Sequence, residues 1–153
     1  MSILYLVIVL SLILWSNLFF FRGGFWCADQ IIESDSAILE NWPSVGIIIP
    51  ARNEEKYITA ALKSLVSQRY PGFFKITVVN DNSNDKTLEA AQKIKNQSIT
   101  VLNGSPLPKG WTGKLWALKQ GIELSNKNKP LCDYYLLTDA DIQHSSKTLT
   151  TLI

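Results

Sequence analysis

Residues 45–55 read VGIIIPARNEE, and the fold turns on how they are read. Val45, Ile47, Ile48 and Ile49 form a short, unbroken, mostly β-branched run, which suits a strand buried on both faces. Pro50 is expected to end it, because proline has no N–H to give a sheet. Beyond the polar exit, Ile58, Ala61, Leu62, Leu65 and Val66 recur at helical spacing. The pattern predicts a helix over 53–67, capped by Asn53, with Glu54 and Glu55 in its first turn. A doubly buried strand feeding an amphipathic helix is the start of a parallel βαβ layer.

The same rhythm continues toward the carboxyl end. Strands are expected at 74–80, 99–103 and 134–138, and helices at 84–96, at 113–125 and from about residue 145. This alternation implies right-handed βαβ units and a mostly parallel sheet with helices on both faces. In such sheets ligands bind beyond the carboxyl ends of the strands, beside a topological switch point.

Toward the amino end the material changes. Residues 2–21, SILYLVIVLSLILWSNLFFF, carry no charge, and Arg22 is the only charged side chain among the first 28 residues. About twenty apolar residues at ~1.5 Å each match a hydrocarbon core of roughly 30 Å, so 2–21 is expected to be a transmembrane anchor. A cleaved signal peptide fits less well, since the basic leader and the small-residue cleavage site are both missing. Arg22 on the carboxyl side of the span favours a cytoplasmic globular part. Residues 22–44, with Gly23, Gly24 and Pro43, read as a juxtamembrane connector.

Composition excludes several functions. Lys and Arg total 15 against 13 Asp and Glu, a net charge of +2, which gives no electrostatic case for nucleic acid as a partner. Hydrophobic residues make up 46%, so the chain is not disordered. The two cysteines, Cys27 and Cys132, have neither CxxC spacing nor a histidine partner, so they read as reduced thiols rather than a zinc site or disulfide framework. About 130 residues beyond the apolar segment suffice for one modest core.

The strand exits hold the chemistry-bearing residues. After the second strand, Asn80-Asp81-Asn82-Ser83-Asn84-Asp85 is more polar than a turn requires. An EF-hand reading fails because Lys86 occupies the glycine position and Gln92 that of the bidentate glutamate. A carboxylate at the strand tip, Asp81, can instead accept the ring N–H of a nucleobase. After the third strand, Pro108 and Leu115 exclude a phosphate-binding GxxxxGK loop. A helix start at Thr112-Gly113-Lys114 remains, where free N–H groups, the helix dipole and an ammonium favour a diphosphate. After the fourth strand, Asp139 and Asp141 stand one residue apart and can act on one hard cation, Mg²⁺ or Mn²⁺. His144, the only histidine, reads as a surface or capping residue, with a place near the metal as the alternative.

Taken in order, IIIPARNEE (47–55), VVNDNSNDKT (78–87), GWTGKLWAL (110–118) and LLTDAD (136–141) resemble the family 2 glycosyltransferases of GT-A fold. PLPKGWTGKLWALKQG (106–121) is similar to the hopene-associated glycosyltransferases of bacterial hopanoid synthesis, and related carotenoid glycosyltransferases are similar there. The resemblance implies a partial GT-A (Rossmann-like) sheet over 45–153 behind the amino-terminal helix. It implies that Ala51, Arg52 and Glu54 line a nucleotide pocket, that Asp81 binds uracil and that Lys114 lies near the diphosphate. Asp139 would reach the ribose or metal-bound water, and Asp141 would hold Mg²⁺ or Mn²⁺. Asn80 departs from the family, which often has a second aspartate there.

The implied function is transfer of a sugar from a nucleotide-diphosphate sugar, UDP-linked, to a lipid-type, hopanoid acceptor at the bacterial inner membrane. In the family the general base comes from a later motif, so it is expected beyond residue 153, with this chain the donor-binding portion, truncated after the DxD motif. The alternatives are a non-catalytic nucleotide-binding or interaction module on the same scaffold, and a nucleotidyltransferase. The second is disfavoured by the lack of a glycine-rich loop after the first strand.

Overall fold

The structure, a computed structural model, describes residues 2–21, 39–127 and 130–153. The chain divides into two compact units, Met1–Glu33 and Ser34–Ile153. Cys27 and most of the expected connector lie outside the described residues.

In the first unit, α1 spans Ser2–Phe21. It is the one helix among the described residues long and apolar enough to cross a membrane. Apart from the half-buried Leu18, its apolar side chains from Ile3 to Phe21 are exposed around the circumference, unlike those of a core helix.

The second unit runs β1 (Val45–Ala51), α2 (Ile58–Val66), β2 (Phe74–Asn80), α3 (Thr87–Gln92), β3 (Ile99–Asn103), α4 (Gly113–Lys127), β4 (Tyr134–Leu137) and α5 (Thr148–Leu152). The strands form one sheet in the order β3-β2-β1-β4, and every pair is parallel. The chain steps outward from β1 to β3, then returns through α4 to set β4 on the other side of β1. The strand order therefore reverses between β1 and β4, which is where a crevice opens at the carboxyl ends.

Both faces of β1 are covered, as its unbroken apolar run implies. Ile47, Ile49 and Ala51 join Ile58, Leu62, Leu65, Ala91 and Leu149 in the core on the α2 side. Ile48 faces α4. A Cβ on Gly121 would stand 2.5 Å from Ile48 Cγ2 and 3.0 Å from Val79 Cγ2, so α4 lies on the sheet with only a glycine's clearance.

Pro50 does not end β1. The strand continues to Ala51, with Pro50 opposite Val79 of β2. The Ile48 carbonyl accepts from Thr138 N–H on the β4 side, and the Ala51 carbonyl from Asp81 N–H on the β2 side. Pro50, two residues after Ile48, therefore points to the β4 side, past the last pair, Ile48 with Leu137. No ladder bond is lost there.

The helices on the α2 side begin later than their periodicity suggests. Asn53 has φ +58°, so it cannot be helical, and Tyr57, which lacks a side-chain cap bond, precedes the first residue of α2. Asn53 is thus not the helix cap, and Glu54 and Glu55 are not in the first turn. Their N–H groups go instead to Thr87 Oγ1 and Asp85 Oδ2. Asn84 N–H and Lys86 N–H likewise donate to Asn53 and Glu55, and α3 begins only at Thr87, after Asn82 at φ +49° and Lys86 at ψ +20°. α5 starts at Thr148 because Leu149 N–H is taken by Gln68 Oε1.

Candidate functional site

Because parallel strands share a direction, the exits of β1, β2 and β4 lie at one edge of the sheet, and the amino end of α4 meets them there. Between them is a cleft of about 360 Å³. Pro50, Ala51, Arg52 and Glu54 line it from β1, Asp81 from β2, Gly113 and Lys114 from α4, and Asp139, Ala140 and Asp141 from β4. The sequence-predicted residues Ala51, Arg52, Glu54, Asp81, Lys114, Asp139 and Asp141 are thus all brought to one cavity.

Asp81 is only 6% exposed. Its N–H donates to the Ala51 carbonyl at 2.8 Å, and Arg52 Nη1 stands 3.7 Å from its Oδ2. From above, the first residue of α4 closes on it. A Cβ on Gly113 would lie 2.5 Å from Asp81 Oδ2 and 3.6 Å from Arg52 Nη1. Glycine is required by this approach of backbone to carboxylate, a constraint invisible in the local sequence.

At the other end, Lys114 Nζ pairs with Asp139 Oδ1 at 2.6 Å. Both side chains are well exposed, so the pair adds little stability, but it holds an ammonium at the first turn of α4, where free N–H groups also point. The Glu54 carboxyl is held above its usual range, first by burial and then by the charges of Asp141, Asp85 and Asp139.

The cleft contains four carboxylates, Glu54, Asp81, Asp139 and Asp141, against two cationic groups, Arg52 and Lys114. An anionic diphosphate entering this surplus would be repelled unless a further cation accompanied it. Hard oxygen donors with that charge balance fit Mg²⁺ or Mn²⁺. Among the described residues no three His, Cys, Asp or Glu side chains are grouped closely enough to hold a metal. Asp141 and Asp139 could therefore supply one or two ligands, with phosphate oxygens and water completing the shell.

His144 does not line the cleft. Its Nε2 lies 2.9 Å from Thr138 Oγ1 and its N–H donates to Ser64 Oγ, while burial holds its ring below the usual pKa. Trp111 packs edge-on against Trp116 with centroids 5.4 Å apart, and Lys119 Nζ sits 5.0 Å from the Trp116 ring. In the sequence Gly113 is only a small residue at a helix start, and Asp85 and Thr87 are only part of a polar run before a helix. The spacing of Asp85 and Thr87, two residues apart before a helix, was the available signal for the latter pair.

The sequence profile described as Glycosyl transferase family 2 matches residues 46–153. The probable glycosyltransferase YdaM of Bacillus subtilis (strain 168) is 35% identical over 131 residues, covering 82% of this chain and 30% of that protein. The 4,4'-diaponeurosporenoate glycosyltransferase of Staphylococcus haemolyticus (strain JCSC1435) is 34% identical over 106 residues, 68% of this chain and 26% of its own length. Among solved structures, S. aureus TarS 1-349 in complex with UDP superposes with a TM-score of 0.56 at 27% identity, over 71% of this chain and 30% of that one. The chain thus spans less than a third of the length of the curated relatives it matches.

Proposed function

Because this chain belongs to glycosyl transferase family 2, we propose that residues 45–153 form the donor-binding portion of a glycosyltransferase that takes a UDP-linked sugar. The observation that supports this reading is the convergence of seven polar and backbone-contact residues from three strand exits and one helix start on a single cleft. Asp81, with Arg52 beside it, receives the uracil ring. Ala51 and Glu54 form the wall next to it. Lys114 and the free N–H groups of α4 face the diphosphate, and Asp139 and Asp141 hold Mg²⁺ or Mn²⁺.

The reaction cleaves the bond between the sugar's anomeric carbon and the diphosphate, so negative charge grows on the departing phosphate oxygen. Lys114 and the α4 N–H dipoles are fixed before the reaction and oppose that growing charge, which lowers the barrier more than it tightens the ground state. A bound divalent cation supplies Lewis-acid stabilisation of the same oxygens. No residue of this chain is assigned to deprotonating the acceptor.

The acceptor we propose is a lipid-type molecule, consistent with α1 acting as a single-pass anchor that keeps the globular part at the cytoplasmic face. The resemblance of 106–121 favours a hopanoid, and the name of the staphylococcal relative favours a carotenoid-type lipid. Glycolipid profiles of cells with and without the gene separate these two. The donor assignment is tested by calorimetric titration of the full chain with UDP in the presence and absence of Mn²⁺. Binding should require Mn²⁺ and be lost in Asp141→Ala. A titration without heat, or an Asp141→Ala chain that binds like the wild type, would sink it.

A further inference from the structure

The exits of β1 and β2 are clasped together by hydrogen bonds that neither strand pairing nor helix capping explains. Asn53 N–H donates to Ser83 Oγ at 3.0 Å, and Asn84 N–H donates back to Asn53 Oδ1 at 2.8 Å. Glu54 N–H donates to Thr87 Oγ1 at 2.7 Å, and Lys86 N–H to Glu55 Oε2 at 2.9 Å. These partners lie 30 to 33 residues apart in the chain, so they are tertiary contacts and not turn chemistry.

Thr87 is the centre of the clasp. It is fully buried, and its hydroxyl donates to Asp85 Oδ1. The single hydroxyl proton is thereby committed to the carboxylate, which leaves an oxygen lone pair directed at Glu54 N–H. Asp85 orients Thr87, and Thr87 orients the backbone that carries Arg52 and Glu54. Asn53 contributes separately. With φ +58° it turns the chain out of β1, and its side chain accepts from the β2 exit. Asp81, at the exit of the same strand, has its own N–H bonded to Ala51 O, which ties the two exits together just before the clasp.

We propose that Thr87 and Asn53 are positioning residues for the donor cleft, holding the backbone of Arg52 and Glu54 in register with Asp81. Resting on the donor reading above, this assigns residues outside the cleft the task of preorganising it, so that binding need not order the β1 exit. Loss of a clasp that served only folding would lower the melting temperature and leave the affinity of folded molecules unchanged.

The test is calorimetric titration of the full chain with UDP and Mn²⁺, at a temperature where circular dichroism shows wild type and variants fully folded. Thr87→Val removes the hydroxyl at nearly constant shape and is expected to weaken UDP binding about tenfold, the scale of one unmade buried hydrogen bond. Thr87→Ser keeps the hydroxyl and should stay within about twofold of wild type. Asn53→Gly keeps the left-handed backbone but loses the acceptor, and should weaken binding several-fold; as Asn53 is exposed, it decides the matter if Thr87→Val does not fold. A wild type that binds while Thr87→Val and Asn53→Gly bind equally well overturns the positioning role alone. A wild type that does not bind UDP overturns the donor reading and the positioning role together.

Discussion

Replacing Gly113 by alanine should separate the donor site from the stability of the fold. The new Cβ would begin 2.5 Å from Asp81 Oδ2, and ordinary contact starts at 3.4 Å. Either the carboxylate or the first turn of α4 must therefore retreat by roughly 0.9 Å. Overpacking of this kind costs about 1–3 kcal/mol, against which alanine's helical preference over glycine returns up to ~1 kcal/mol. Net stability should fall by no more than about 3 kcal/mol. The effect on binding should be larger in proportion. A carboxylate displaced by that distance loses a charged hydrogen bond to the base, worth about 1.5–3 kcal/mol, or roughly 10- to 100-fold in affinity. Calorimetry with UDP and Mn²⁺ reads the affinity, and thermal melts read the fold. If Gly113→Ala bound UDP as tightly as the wild type while melting normally, the placement of the base on Asp81 under Gly113 would be wrong.

Three further outcomes follow from other contacts. Lys114→Gln should weaken UDP about tenfold and leave uridine nearly unaffected, because the ammonium faces the diphosphate end and not the base; competition titrations with the two ligands measure the ratio. Gly121→Val should destabilise the domain by at least about 1–3 kcal/mol, since Ile48 and Val79 leave no room under α4, as read by urea unfolding. The third concerns pH: the Ser44 hydroxyl and N–H hold the Asp133 carboxyl below its ordinary 3.8. A lowered folded-state value means the stability it contributes is complete above pH 3.8 and is lost as the pH falls through the folded value. Asp133→Ala should therefore flatten the acid side of the stability curve, measured by thermal melts at neutral pH and in steps below 3.8.

Much of this protein is written locally. The bounds of β2, β3 and the start of α4 follow from β-branched runs and helical spacing, because those signals depend on neighbours a few residues away. The carboxylates at the exits of β2 and β4 were readable for the same reason: a polar cluster directly after a buried strand in a parallel sheet has only one edge on which to appear.

What local pattern could not decide was where backbone N–H groups would go once distant segments met. The residues expected in the first turns of α2 and α3 are not helical: Asn53 has positive φ and Lys86 stands at ψ +20°, while Glu54 N–H, Asn84 N–H and Lys86 N–H bond to residues some thirty positions away. Pro50 sits inside β1 because β4 stops short of it, and a strand's length is not contained in its neighbour's sequence. The Lys114–Asp139 pair and the closing of Gly113 over Asp81 depend on α4 crossing the sheet to reach the β1–β4 switch point. Residue types at the strand exits thus determined which chemistry is available. Strand order and the clearance under α4 decided which of those residues share one cleft, since non-local packing sets distances that no sequence spacing encodes.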